Sequence, residues 1–299
     1  MDRVPIAFHD AVCATLYTDA LSSLGELSGY FGYLARSTWR DRAYYVSSVK
    51  DGIEKEGHIN YDSDGRKVSA SEEIEAVPKK SVHIVMINLY DRKEENVSRA
   101  IVKRYPYSSF QFALLSSSIN EAWVDFACSL KRLDTVLIMK TLDDDVIRLF
   151  QKLVDGRKFC WLPIFEEACE GNMLALLKML LCQDQFMHLK IRNNLEGPWN
   201  STVVQDLLQF WSENSEKVCP KEECDYIDKC YRHHNLCFSE PSCVYKFEEG
   251  KGDDRRRLYI SFGCAHGKER TNGRRYASRE GVDDLRLMRG TTLLRVLFA

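Results

Sequence analysis

The spacing of hydrophobic positions changes character along the chain. At the front, Val4, Phe8, Val12 and Leu16 recur every fourth residue, which places them on one helical stripe. Pro5 suits the first turn of such a helix, where a missing N–H costs nothing. Gly25, Gly29 and Gly32 then interrupt the pattern and predict short or broken helices. Tyr30, Phe31, Leu34 and Ala35 follow, then Thr38-Trp39-Arg40. A stripe of this kind is core if the chain covers it and an interface if it does not.

Residues 50–80 are polar, hold three glycines and have few large apolar side chains, so they read as a polar linker. Within them, Tyr61-Asp62-Ser63-Asp64-Gly65 starts like a calcium loop. Ser69 and Ala70 stand where that loop needs its glutamate, so the stretch is read as a turn.

From residue 81 strands and helices alternate. Strand candidates are 82–87, 110–115, 135–139, 159–162 and 186–191, rich in branched and aromatic residues. Helices are predicted over 94–105, 120–133, from Asp143, over 165–181 and over 201–211, with Asn120 as an N-cap. Asp143-Asp144-Asp145 is read as an acidic helix start rather than a cation site. Successive strand starts lie 28, 25, 24 and 27 residues apart. That cycle fits a leucine-rich-repeat-like stack of strand–helix units, and it also fits an ordinary α/β sheet with crossover helices. The absence of a Gly-rich strand-to-helix turn favours the irregular repeat. Later, 244–249 and 257–262 alternate apolar and polar around Gly250-Lys251-Gly252-Asp253-Asp254, a hairpin signal, and the apolar 293–298 segment is placed to close the sheet.

The predicted fold class is therefore α/β (α+β). A small helical module occupies 1–49, a polar linker 50–80, an irregular leucine-rich-repeat-like αβ body 81–217, and a Cys-rich loop with a C-terminal antiparallel β hairpin 218–299.

Composition narrows the function. Hydrophobic residues make up 44% and charged residues 29% of the 299, an ordinary globular balance. The net charge of −2 gives no global attraction to nucleic acid or anionic membrane. Arg255-Arg256-Arg257, Arg270, Arg274, Arg275 and Arg279 are read as solvated loop charge, since only Tyr276 is interleaved for stacking. No apolar run reaches the roughly 20 residues of a membrane span. The N-terminus carries acidic residues and a histidine inside its apolar stretch, unlike a secretory signal, so the expected location is cytoplasmic or nuclear. No G-x-S-x-G, P-loop, H-E-x-x-H or dinucleotide fingerprint is present, and the expectation is a non-enzymatic protein.

Of the 11 cysteines, Cys13, Cys128, Cys160, Cys169, Cys182 and Cys264 are scattered and read as reduced, small hydrophobes. The others crowd into one segment as Cys219-x4-Cys224-x5-Cys230-x2-His233-His234-x2-Cys237-x5-Cys243. Thiolates and imidazoles are the ligands tetrahedral zinc prefers, so Cys219, Cys224, Cys230, His233 and Cys237 form a candidate structural zinc site. The other reading is reduced thiols in a compact loop; no other cofactor is expected.

The segment Val4-Pro5-x-x-Phe8-x-x-x-Val12-x-x-x-Leu16, with Leu21, Leu24 and Leu27 and then Leu34-Ala35-Arg36-Ser37-Thr38-Trp39-Arg40, resembles a degenerate F-box. With αβ repeats and a terminal β region behind it, the chain is similar to F-box-like proteins of the large nematode expansion. The resemblance covers about 45 residues by motif. It implies that residues 4–46 dock onto the small adaptor subunit of an SCF-type ubiquitin ligase, through Pro5, Phe8, Val12, Leu16 and Trp39, while residues 81–299 hold a target protein. The alternative is a zinc-stabilised interaction module with no ligase link.

Overall fold

The computed structural model describes residues 5–16, 18–91, 95–183, 185–186, 188–193, 202–214, 242–249, 256–263 and 293–298. Two compact units emerge: one of residues 1–113 with 129–134, the other of 114–128 with 135–299.

The first unit opens with three helices, α1 (Ile6–Thr15), α2 (Thr18–Gly25) and α3 (Gly29–Asp41). Cys13, Leu21 and Ala35 are fully buried at their centre, and Leu16, Leu24, Phe31, Leu34 and Trp39 pack around them. Of the glycines expected to interrupt the helices, Gly29 does so, with φ +85° at the start of α3. Gly32 does not: it lies inside α3, where a side chain would overlap the Leu27 carbonyl oxygen and approach its carbon to 2.7 Å. Its role is close packing of the α2–α3 turn onto the helix.

The helical module is shorter than predicted, because residues 43–49 belong to a strand. β1 (Ala43–Lys50) alternates buried and half-buried positions along its length, the period-2 signature of a pleated strand against a core. It pairs antiparallel with β2 (Ile53–Tyr61) and parallel with β4 (Val82–Leu89). Asp51 and Gly52 join β1 to β2 with φ +57° and +70°, the left-handed pair of a tight hairpin turn.

Residues 50–80, expected as a linker, are thus regular structure: β2, the two-residue β3 (Lys67–Val68), α4 (Ser71–Ala76) and a 3-10 turn at Lys79–Ser81. Their polarity comes from exposure, since Ile59 is the one fully buried side chain on β2. The 61–65 segment is the turn expected of it, closed by Gly65 N–H to Tyr61 O at 3.0 Å with Gly65 at φ +68°. With α5 (Glu95–Arg104) and β5 (Ser109–Leu114), the strand order of this unit is β3-β2-β1-β4-β5. Tyr45, Val49, Ile59, Val85, Ile101 and Phe112 are among its buried apolar residues. Each large side chain of this kind contributes roughly 1.5–3 kcal/mol on leaving water.

The second unit continues the strand–helix cycle with α6 (Glu121–Ser129), β6 (Leu133–Ile138), α7 (Asp144–Asp155), β7 (Trp161–Phe165), α8 (Asn172–Leu181), β8 (His188–Arg192) and α9 (Val203–Asn214). Asn120 caps α6 as predicted, its Oδ1 accepting the Trp123 N–H at 2.7 Å. Asp144 and Asp145 sit in the first turn of α7, where the helix dipole favours them. The predicted face Met173, Leu176, Leu177 and Leu180 of α8 is buried. β6, β7 and β8 are parallel, α7 packs on α8 and α8 on α9. The hairpin appears as β9 (Ser242–Glu249) and β10 (Arg256–Gly263) in antiparallel register, Tyr245 opposite Ile260. β11 (Leu293–Phe298) lies between β10 and β8, antiparallel to both. The order here is β6-β7-β8-β11-β10-β9. The protein is a mixed α/β fold.

No helix among the described residues is long and apolar enough to cross a membrane.

Candidate functional site

Two places in the first unit present organised chemistry: the outer face of the helical module and a polar cleft beside β2.

The five residues predicted to dock do not share one surface. Pro5 is exposed and Phe8 is 58% exposed, whereas Val12, Leu16 and Trp39 are half-buried. Leu16 and Trp39 pack against the Cys13–Leu21–Ala35 core, because α1 turns Cys13 inward about 1.4 turns after Phe8. The aromatic surface instead continues from Phe8 onto α3. Phe8 and His9 rings lie 6.2 Å apart, His9 and Tyr30 6.4 Å, and Tyr30 and Tyr33 6.4 Å. Tyr30 and Tyr33 are 49% and 59% exposed, and Leu27 in the preceding turn is 49% exposed. His9 also meets the inward-facing Phe31 edge-on at 5.0 Å, which ties this outer row to the core. Tyr30 and Tyr33 stand three apart on a helix, a spacing that puts them on one face and was available in the sequence.

The cleft has a volume of about 520 Å³. Its floor is a fixed polar group. The Arg104 guanidinium from α5 grips Glu54 of β2 with both arms, Nη2 to Oε2 at 2.7 Å and Nη1 to Oε1 at 3.2 Å. The Tyr45 hydroxyl of β1 donates to Glu54 Oε1 at 2.6 Å. The Tyr45 and Tyr105 rings stack at an angle beneath, 4.9 Å apart. Burial, with the Glu54 carboxylate beside it, holds the Tyr45 phenol protonated far above its usual range. Burial opposes the charge on Arg104, but hydrogen bonds to Glu54 and its charge more than offset that, and the group stays cationic. Gly57 leaves the space the Tyr45 ring occupies. No local motif joins residues 45, 54 and 104, so this group had no sequence signal.

The cleft's walls come from β2 residues 54–58, from Lys67 and Ser69, and from α4 through Ile74 and Glu75. Burial, and then the Lys67 ammonium, push the His58 imidazole below its usual range, so it is neutral at pH 7.

A half-buried polar cluster anchors the helices to the sheet. Arg42 donates to the Leu16 carbonyl and lies 3.8 Å from Asp62, whose carboxylate is 3.3 Å from His83 Nε2.

The zinc candidates Cys219, Cys224, Cys230, His233 and Cys237 lie outside the described residues. Among the described residues, no group of three or more His, Cys, Asp or Glu side chains is placed to hold a metal. Cys13 and Cys169 are buried as expected of small hydrophobes, while Cys160 is exposed, contrary to that expectation, at the mouth of the loop before β7.

No family model, curated protein or solved structure matches this chain.

Proposed function

We propose that this chain is a non-enzymatic protein-interaction adaptor, resembling a substrate-recruiting F-box subunit of an SCF-type ubiquitin ligase. The N-terminal helices would hold the small adaptor subunit, and the remainder a target protein. The observation that carries this reading is the exposed row Phe8, Tyr30 and Tyr33 with Leu27 on a small helical module whose core is otherwise closed. It is the adjacency of these exposed side chains in one row that marks an interaction site, and aromatic residues dominate binding where they are covered. The docking anchors are accordingly Pro5, Phe8, Leu27, Tyr30 and Tyr33, and Leu16 and Trp39 support them from below.

Point variants test the reading better than truncation, because removing residues 1–48 also removes most of β1. Phe8→Asp and Tyr33→Asp are exposed substitutions that leave the core intact. With the purified adaptor subunit, the full chain is expected to bind, and each variant to weaken binding by roughly tenfold or more. Equal capture by the parent and both variants would remove the docking proposal.

A further inference from the structure

We propose that the outer edge of β2, from Ile53 to His58, accepts an extended acidic peptide segment of a partner protein as an added strand, seated in the cleft. The inference stands apart from docking of the helical module, which lies on other residues.

The chain's own partner strand stops short. β3 pairs with β2 only at Ile59↔Val68 and Asn60↔Lys67, after which the chain leaves for α4. Along residues 53–58 the strand is therefore paired with β1 on one side alone among the described residues. Beside that unpaired length lies the 520 Å³ cleft, walled by five consecutive β2 residues on one side and by Ser69, Ile74 and Glu75 on the other. An open edge beside a cleft is the arrangement by which sheets take up extended peptides, with backbone hydrogen bonds supplying affinity and flanking side chains specificity.

Charge selects the occupant. Glu54 is neutralised by Arg104, and Glu75 accepts from Lys79 at 3.2 Å. His58 is neutral. Lys55 and Lys67 are exposed in the wall and have no ion-pair partner among the described residues, against Glu56 alone. The unpaired charge is thus positive. An acidic strand meets this charge with its opposite.

The test uses the full chain and a fluorescein-labelled octapeptide of alternating glutamate and valine. Its controls are the same peptide N-methylated at alternate amides, a lysine–valine octapeptide, and inorganic phosphate as competitor. Saturable binding of the acidic peptide is expected by anisotropy, with slowed hydrogen exchange confined to residues 53–58 of β2. N-methylation should weaken it by roughly tenfold or more, since it removes the strand's donors but no charge. The Lys55→Glu/Lys67→Glu variant, altered only at exposed positions, should lose the acidic peptide and gain the lysine one. Absence of saturable binding, equal binding of the N-methylated peptide, or complete displacement by phosphate would each overturn the proposal. So would protection of the β2 edge without peptide, through self-association.

Discussion

A β-carbon at Gly57 would overlap the Tyr45 hydroxyl oxygen and lie 2.9 Å from the ring's Cζ. Gly57 pairs with Ser47 and Tyr45 with Ile59, so the two are diagonal neighbours on the β1–β2 ladder, and Tyr45 cannot swing aside while its hydroxyl is bonded to Glu54. Gly57→Ala is therefore expected to destabilise the protein by about 1–3 kcal/mol, the usual cost of overpacking. Tyr45→Phe removes the overlapping oxygen and its hydrogen bond, at about 1 kcal/mol alone. In the double variant the costs should sum to less than the two singles. A urea-denaturation cycle reads this directly, and strict additivity would mean that the ring relaxes freely.

Acid sensitivity should centre on His83. Burial, and then the Arg42 guanidinium, lower its imidazole from 6.5 to about 4. Between those values the unfolded chain takes up a proton that the folded chain refuses. Stability is thus fully present above about pH 6.5 and is lost as pH falls toward 4. The loss is bounded at roughly 3 kcal/mol, and Asp62 at 3.3 Å from Nε2 reduces it by welcoming the charge. Urea midpoints of the parent and of His83→Gln, compared from pH 7 to pH 4, should converge on acidification because the variant escapes this penalty. Parallel curves would assign the acid limb to other groups.

The helical module should be unusually sensitive at Gly32. A side chain there meets backbone, the Leu27 carbonyl, rather than a movable side-chain tip. Gly32→Ala favours the helix by propensity, about 1 kcal/mol, yet is expected to destabilise on balance and to shift Leu27 away from Tyr30 and Tyr33. Proteolysis of the α2–α3 turn should accelerate. A variant more stable than the parent would show that the turn yields without cost.

Strongly periodic segments were legible from the sequence. The β4 to β8 cycle is visible because each strand is apolar enough to be buried and each helix has one apolar face, as Met173, Leu176, Leu177 and Leu180 show. Residues 50–80 look like a linker in sequence because β2 lies at an edge and needs little apolar surface. Asp51-Gly52 between two alternating stretches was the signal that would have recovered the hairpin, and it outweighs overall polarity. On the candidate surfaces, spacing identified Phe8 but gave no depth. A four-residue repeat drifts around a helix, so Leu16 faces the core while Phe8 faces out. The Tyr45–Glu54–Arg104 group depends on contacts across 50 residues of chain, which no local pattern encodes.

A single residue, Arg42, separates the end of α3 from the start of β1, and its side chain is fastened to the Leu16 carbonyl. The front of the molecule is consequently not a ball on a string. A protein that clasps α1 and α3 also sets the heading of the strand at the middle of the adjoining sheet. Any cargo carried there would be presented at one angle, like a tool in a chuck.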